Sequence, residues 1–188
     1  MSFETSAEPH LRYKVKNDFM KEIAAVFLFV LFGIVASGQT MTVEEARKIY
    51  AGSMQDKSTC EAAYKRFSQV TSADNVLLRG YKGAVIVAMS KHTKVVKEKI
   101  SYFNDGKKLI ESTIAEDGKN VELKFIRFTI QSNCPLALKY NKNITEDKKY
   151  IIDNLTNIKS TSVRSNIKEY LLKSKDVSEV EKQKINAL

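Results

Sequence analysis

Apolar positions recur at intervals of three and four along most of the chain, and this spacing predicts helices. The first candidate spans about 42–55 and the second about 58–70, the latter with Ala63, Phe67 and Val70 on one face. Thr42 stands three residues before Glu45, and Ser58 three before Glu61. That is the spacing of a capping box, in which the hydroxyl accepts an orphan N–H and the carboxylate reaches back. Asp74 is placed to cap a third helix over about 75–91, carrying Leu77, Leu78, Tyr81, Ala84, Val85 and Ala88. A fourth, about 94–116, shows the stripe Val96, Ile100, Phe103, Gly106, Ile110, Ile114, and Gly118 is placed to stop it.

Two segments fit either regular structure. In 121–131, Val121, Leu123 and Phe125 alternate as in a strand, yet Val121, Phe125 and Phe128 together with Leu123, Ile126 and Ile130 cover a wide helical face. The β-branched residues of 84–89 also suit a strand. Helix is the better reading of both, because neither segment has a second convincing strand to pair with. Beyond Pro135 come a loop and three more helices, at about 144–157, 162–174 and 177–186. Tyr150, Ile151, Leu155 and Ile158 form one apolar face, and Val163, Ile167, Tyr170 and Leu171 the next. With only 2 Pro and 7 Gly in 188 residues, and no Pro-, Gly- or Ser-rich linker, the expected fold is all-α. It consists of antiparallel helical hairpins stacked in one domain, 39–188.

The N-terminal part follows a different pattern. Residues 23–36, IAAVFLFVLFGIVA, carry no charge. As a helix they rise about 21 Å, short of the roughly 30 Å hydrocarbon core of a bilayer. Lys21 precedes them, and the small residues Ala36, Ser37 and Gly38 follow. A basic start, a short apolar run and a small-residue exit are the parts of a secretory signal peptide, with cleavage expected between Gly38 and Gln39. An uncleaved membrane anchor and a buried core helix are the alternatives. Residues 1–19 are mixed in charge and without periodicity. They read as a disordered upstream extension, with Met20 as the natural start and 20–38 as the signal segment.

Charge sharpens this division. The chain has 31 Lys+Arg against 22 Asp+Glu, a formal net charge of +9. Arg12, Lys14, Lys16 and Lys21 are balanced by Glu4, Glu8, Asp18 and Glu22, so the whole basic excess falls on 39–188. A basic surface suits nucleic acid, an anionic membrane, or solvent alone. The aromatics Phe103, Phe125 and Phe128 sit on core-like faces, and export separates the chain from nucleic acid. No nucleic-acid partner is therefore expected, and an anionic membrane surface is retained.

The stretches GYKGAVIVAMSKH (80–92), KISYFNDGKKLIESTI (99–114), NVELKFIRFTIQ (120–131) and YNKNITEDKKYIIDNL (140–155), with the signal segment ending before Gln39, resemble a family of uncharacterised small exported proteins of the Bacteroidota. The resemblance implies a helical fold with tetratricopeptide-like packing of stacked helices. The turn at 116–123 is similar to a repeat-to-repeat junction.

Candidate chemistry is sparse. Metal sites need several His, Cys or carboxylate ligands at set spacings, and 39–188 holds one histidine, His92, and two cysteines, Cys60 and Cys134. The pairs Glu44/Glu45, Glu116/Asp117 and Glu146/Asp147 are adjacent, so on a helix they diverge by about 100° and read as solvated acids at helix starts. His92 lies among Lys91, Lys94, Lys97 and Lys99, which disfavour its protonated form, and reads as a surface residue. Ser165 and Lys168 match S-x-x-K by chance, without the companion motifs of that chemistry. Asn143 and Asn154 begin N-glycosylation sequons that matter only in a eukaryotic secretory route. In an oxidising compartment Cys60 and Cys134 either pair, closing a loop of about 75 residues worth roughly 4 kcal/mol, or stay as two free thiols.

No catalytic, cofactor or metal site is expected. The expected function is a non-enzymatic interaction or scaffold module of the cell envelope, periplasmic or secreted. Its binding surface would be helix faces and the loop after Pro135, and its partner an unknown protein or envelope component. An enzyme with a site of scattered residues, and a membrane-tethered protein held by residues 23–36, are the rivals.

Overall fold

Polar caps decide where the helices start. The structure, a computed structural model, describes residues 40–188, so the expected extension, the signal segment and the Gly38–Gln39 junction lie outside the described residues. Eight helices follow: α1 (Val43–Ser53), α2 (Lys57–Phe67), α3 (Val76–His92), α4 (Val96–Glu116), α5 (Val121–Ser132), α6 (Ile144–Asn154), α7 (Thr161–Lys173) and α8 (Glu179–Asn186). Short 3₁₀ turns lie at Leu136–Leu138 and Leu155–Asn157. Both ambiguous segments are helical, inside α3 and α5.

Thr42 caps α1, accepting from the Glu45 N–H at 3.1 Å, but the expected box is half formed, because the Glu45 carboxylate pairs with Arg66 instead of reaching back. Two other expected caps are displaced. The α2 box is Asp56 with Thr59, not Ser58 with Glu61: Asp56 accepts from the Thr59 N–H at 2.9 Å. A carboxylate is a stronger acceptor than a hydroxyl beside the positive helix end. Asp74 closes the preceding turn, accepting from the Thr71 N–H and hydroxyl at 2.7 and 2.8 Å, and Asn75 caps α3 instead. Gly118 follows the end of α4, but no described glycine has positive φ. The α4–α5 turn is instead held by Asn120, which accepts the Glu122 and Leu123 N–H groups and donates to Asp117.

Sequential helices pack antiparallel in one domain, and α3 is the hub. It touches α1, α2, α4 and α5, and it is apolar around most of its circumference, as a central helix must be. Its most extensive partner is α4. There Gly83 and Gly106 bring the two backbones together: a Cβ on Gly106 would lie 2.5 Å from the Gly83 carbonyl oxygen.

Two apolar clusters share α5. Leu123 and Ile126 join Phe67, Leu78, Tyr81, Phe103 and Ile110 in the first. Phe128, with Val121 and Phe125 against it, joins Ile151, Leu155, Ile167, Leu171 and Ile185 in the second. The wide apolar arc of 121–131 is therefore two faces, one for each core. Each fully buried aliphatic or aromatic side chain contributes about 1.5–3 kcal/mol.

A buried ionic centre ties α4, α5 and α6. The Arg127 guanidinium donates to both Asp147 oxygens at 2.7 and 2.8 Å and to Glu111 at 2.8 Å. Lys124 lies 3.6 Å from Asp147. Burial works against the Arg127 charge, but Asp147 and Glu111 outweigh it and hold the guanidinium protonated. The expectation that Asp147 is a solvated acid is corrected: it is 0% exposed, whereas its neighbour Glu146 points outward. The roughly 100° between adjacent helical residues sends one carboxylate into the core and the other to solvent. Tyr140 closes the same region, its hydroxyl donating to Glu111 at 2.7 Å, so the polar segment after Pro135 carries one anchoring aromatic.

Candidate functional site

A cavity of about 790 Å³ opens among α1, α3, α4, α5, α7 and the 3₁₀ turn after Pro135. Each helix presents one stripe to it. The stripe of α1 is Arg47, Tyr50, Ala51 and Met54, and that of α3 is Tyr81, Ala84, Ala88 and Lys91. Helix α4 supplies Val96, Lys99, Ile100 and Phe103, and α5 supplies Glu122, Phe125, Ile126, Thr129, Ile130 and Asn133. From α7 come Val163, Asn166, Ile167 and Tyr170. These sets keep the three- and four-residue steps of one helical face.

The cavity explains a departure from the expected core. Val96 is 68% exposed and Ile100 49% exposed, although both belong to the stripe that buries Phe103, Ile110 and Ile114. The upper part of that stripe faces the cavity, with no described helix seated against it. Met54 and Leu138, also exposed, lie on its border.

Aromatic rings form the walls. Tyr50 and Tyr81 lie 5.5 Å apart, and Phe125 meets Tyr170 edge to face at 5.3 Å. Several polar groups between them are already engaged. Glu122 receives both Nε and Nη2 of Arg47, at 2.7 and 2.8 Å, and the Tyr81 hydroxyl. Hydrogen bonding to Glu122 raises the Arg47 pKa further above its ordinary value. Burial, then the Glu122 charge, push the Tyr81 phenol well up. Asn133 donates to the Tyr170 hydroxyl at 3.0 Å and to the Thr129 carbonyl at 2.8 Å. Burial also raises the Tyr50 phenol, against an opposing hydrogen bond with Thr129. Lys91 and Lys99, on the rim, are exposed and make no ion pair among the described residues.

The residues singled out in the sequence are scattered. Cys60 is buried on α2, its Sγ 3.6 Å from Met89 Sδ, and Cys134 follows α5 on the cavity border. Both are free thiols in the structure, and burial raises the pKa of each. The two cysteines also belong to different packing environments, Cys60 with Ala88 and Met89, and Cys134 against the first core. His92 ends α3 and is partly buried. Ser165 is exposed on α7, and Lys168 donates to the Asn186 carbonyl at 3.3 Å. Asn143 is held by a reciprocal pair of hydrogen bonds with Gln131, and Asn154 donates to the Tyr150 carbonyl. Of the acidic pairs, Glu44 meets Arg47, Glu45 meets Arg66, and Glu116 meets Arg79.

Sequence reasoning missed the cavity residues of α1, α5 and α7. Tyr50, Thr129, Asn133 and Tyr170 look like ordinary members of amphipathic helices. The one available signal was the Arg47–Tyr50–Ala51–Met54 stripe, which mixes a cation, an aromatic and a thioether on a face too varied for a plain core.

Among the described residues no group of three or more His, Cys, Asp or Glu could hold a metal ion. No described helix is long and apolar enough to cross a membrane. No family model matches the chain, and no match was found among curated proteins or solved structures.

Proposed function

We propose that the chain is a non-enzymatic binding module of the cell envelope whose working part is the apolar cavity. The observation that carries this reading is the cavity itself. It is a space of about 790 Å³ walled by Tyr50, Phe103, Phe125 and Tyr170, within the usual range of roughly 300–1,000 Å³ for ligand sites. Its carboxylate, Glu122, is spent on Arg47 and Tyr81, so the lining favours apolar binding over acid–base work. The loop after Pro135 contributes a lip through Pro135, Ala137 and Leu138.

Export rests on the charge-free run 23–36 and the Gly38–Gln39 junction, and the packing is read as tetratricopeptide-like within the Bacteroidota family that the sequence resembles. N-terminal sequencing of the protein recovered from the envelope tests export: a first residue of Gln39 supports it, and an intact leader supports tethering instead.

Binding is tested with Nile red, a neutral dye that brightens in apolar surroundings, added to the full chain and to Ala51→Trp and Asn166→Trp. Both positions are exposed and line the cavity. Saturable binding at one site, weakened at least about fivefold by each indole, supports the reading. Equal binding by all three proteins overturns it.

A further inference from the structure

We infer that the cavity takes the hydrocarbon tail of one long-chain fatty acid, with its carboxylate held at Lys91 and Lys99. This rests on the cavity being the binding site. Three features of the molecule converge on that ligand.

The first is size. At roughly 30 Å³ per carbon, about the share of one water molecule in the liquid, an eighteen-carbon chain takes about 540 Å³ and two such chains about 1,080 Å³. A cavity of about 790 Å³ has room for one such chain.

The second is the interior. Most of its polar groups are held within the protein: Glu122 by Arg47 and Tyr81, and the Asn133 amide nitrogen by Tyr170 and Thr129, which leaves Asn166 as an exposed polar group on the lining. A ligand with polar groups along its length would find few open partners there and would lose its own hydration. An alkyl chain requires no partners, and Val96 and Ile100, exposed at the border, gain cover from it.

The third is the charge at the mouth. Lys91 stands in the last turn of α3 and Lys99 near the start of α4, both on the cavity border and both without an ion pair among the described residues. Lys94 and Lys97, between them in the chain, are exposed as well. The acid beside them, Glu98, accepts from the Thr93 hydroxyl. Arg47, the cation deeper in the lining, is already neutralised by Glu122. Unsatisfied cations at the rim of an otherwise apolar space suit an anionic head on an apolar tail.

The test is displacement of Nile red from the full chain by oleate, by oleyl alcohol of the same chain length, and by phosphatidylglycerol vesicles. It is repeated on Lys91→Gln/Lys99→Gln, whose exposed positions leave the fold intact, checked by circular dichroism. The inference expects oleate to displace the dye at one per chain. Loss of the two lysines weakens oleate about tenfold and oleyl alcohol less than twofold, and 300 mM salt reduces the oleate advantage. If the alcohol competes as well as oleate and the lysine changes alter neither, the carboxylate assignment falls while the cavity reading stands. Displacement by vesicle lipid but not by oleate also overturns it. If the dye and oleate both fail to bind, both readings fall.

Discussion

Replacing Gly106 by alanine adds one methyl group where α3 and α4 have no room for it. A Cβ built there lies 2.5 Å from the Gly83 carbonyl oxygen and 2.7 Å from the Val87 nitrogen and Cγ2. Two of those three atoms are backbone and cannot rotate away. Ordinary carbon contacts begin at about 3.5 Å, so the helices must part by roughly 1 Å, and a gap of that size forfeits a quarter to a half of each contact it opens. Alanine is the better helix former by about 1 kcal/mol, whereas overpacking a filled interface costs about 1–3 kcal/mol or more. Here the crowded interface joins the hub helix to its main partner, and the upper end of that range applies. The expected net loss is about 2 kcal/mol, or about 4–8 °C in Tm for a domain of this size. Gly52→Ala is the control, because nothing lies within 4 Å of its added Cβ and only the propensity gain operates. Thermal unfolding of the full chain, followed by circular dichroism, should lower Tm for Gly106→Ala and raise it by about 2–4 °C for Gly52→Ala. A Gly106→Ala protein as stable as the parent, beside a stabilised Gly52→Ala, would refute the reasoning.

Asp147→Ala removes both acceptors of the Arg127 fork and leaves a buried guanidinium and Lys124 short of negative charge, an expected loss of about 3–5 kcal/mol in urea unfolding. Glu146→Ala, at an exposed site one residue away, should cost less than about 0.5 kcal/mol. Hydrogen bonds from Lys149 and Lys184 hold the Asp153 carboxyl at about 2, below its ordinary 3.8. A depressed folded pKa makes its contribution fully present above about pH 4 and lost as pH falls toward 2. Asp153→Asn should therefore flatten the acid limb of stability in that window, and an unchanged limb would count against the pairing. Burial, with Glu122 and Glu111 respectively, raises the Tyr81 and Tyr140 phenols above 10.0, so the stabilisation is present below pH 10 and is lost as pH climbs past it. Phenolate absorbance from these two rings should appear together with alkaline unfolding, and Tyr81→Phe should make the alkaline limb shallower. Unfolded without reductant, the chain should alkylate at both Cys60 and Cys134, with an intact mass that reductant does not change.

The helical period, the capping residues and the poverty in Pro and Gly were legible in the sequence because they are local. Every one of the eight described helices overlaps a stretch predicted from apolar spacing, and the ends differ by a few residues at most. Caps were less legible: Asp56 and Asn75 won over Ser58 and Asp74, since several neighbouring side chains compete for the same N–H groups. The cavity was hardly legible. Val96 and Ile100 have the same apolar side chains and spacing whether a helix covers them or not, and periodicity reports a face, not what sits opposite it. Asp147 shows the same limit, because its sequence neighbourhood is that of a solvated helix start and only the approach of α5 with Arg127 makes it a buried ion.

The sequence by itself determined most of the helices of 40–188 and their order, left 84–89 and 121–131 fitting either helix or strand, and confined the basic excess to residues 39–188. These follow from backbone hydrogen bonding and hydrophobic spacing within a few turns. Tertiary structure alone decided that Gly83 and Gly106 meet, that α5 serves two cores, and that five helices leave a space of about 790 Å³ rimmed by Lys91 and Lys99. Each of those depends on distances between residues far apart in the chain. Close packing sets such distances by the shapes of whole faces, and no local pattern contains them.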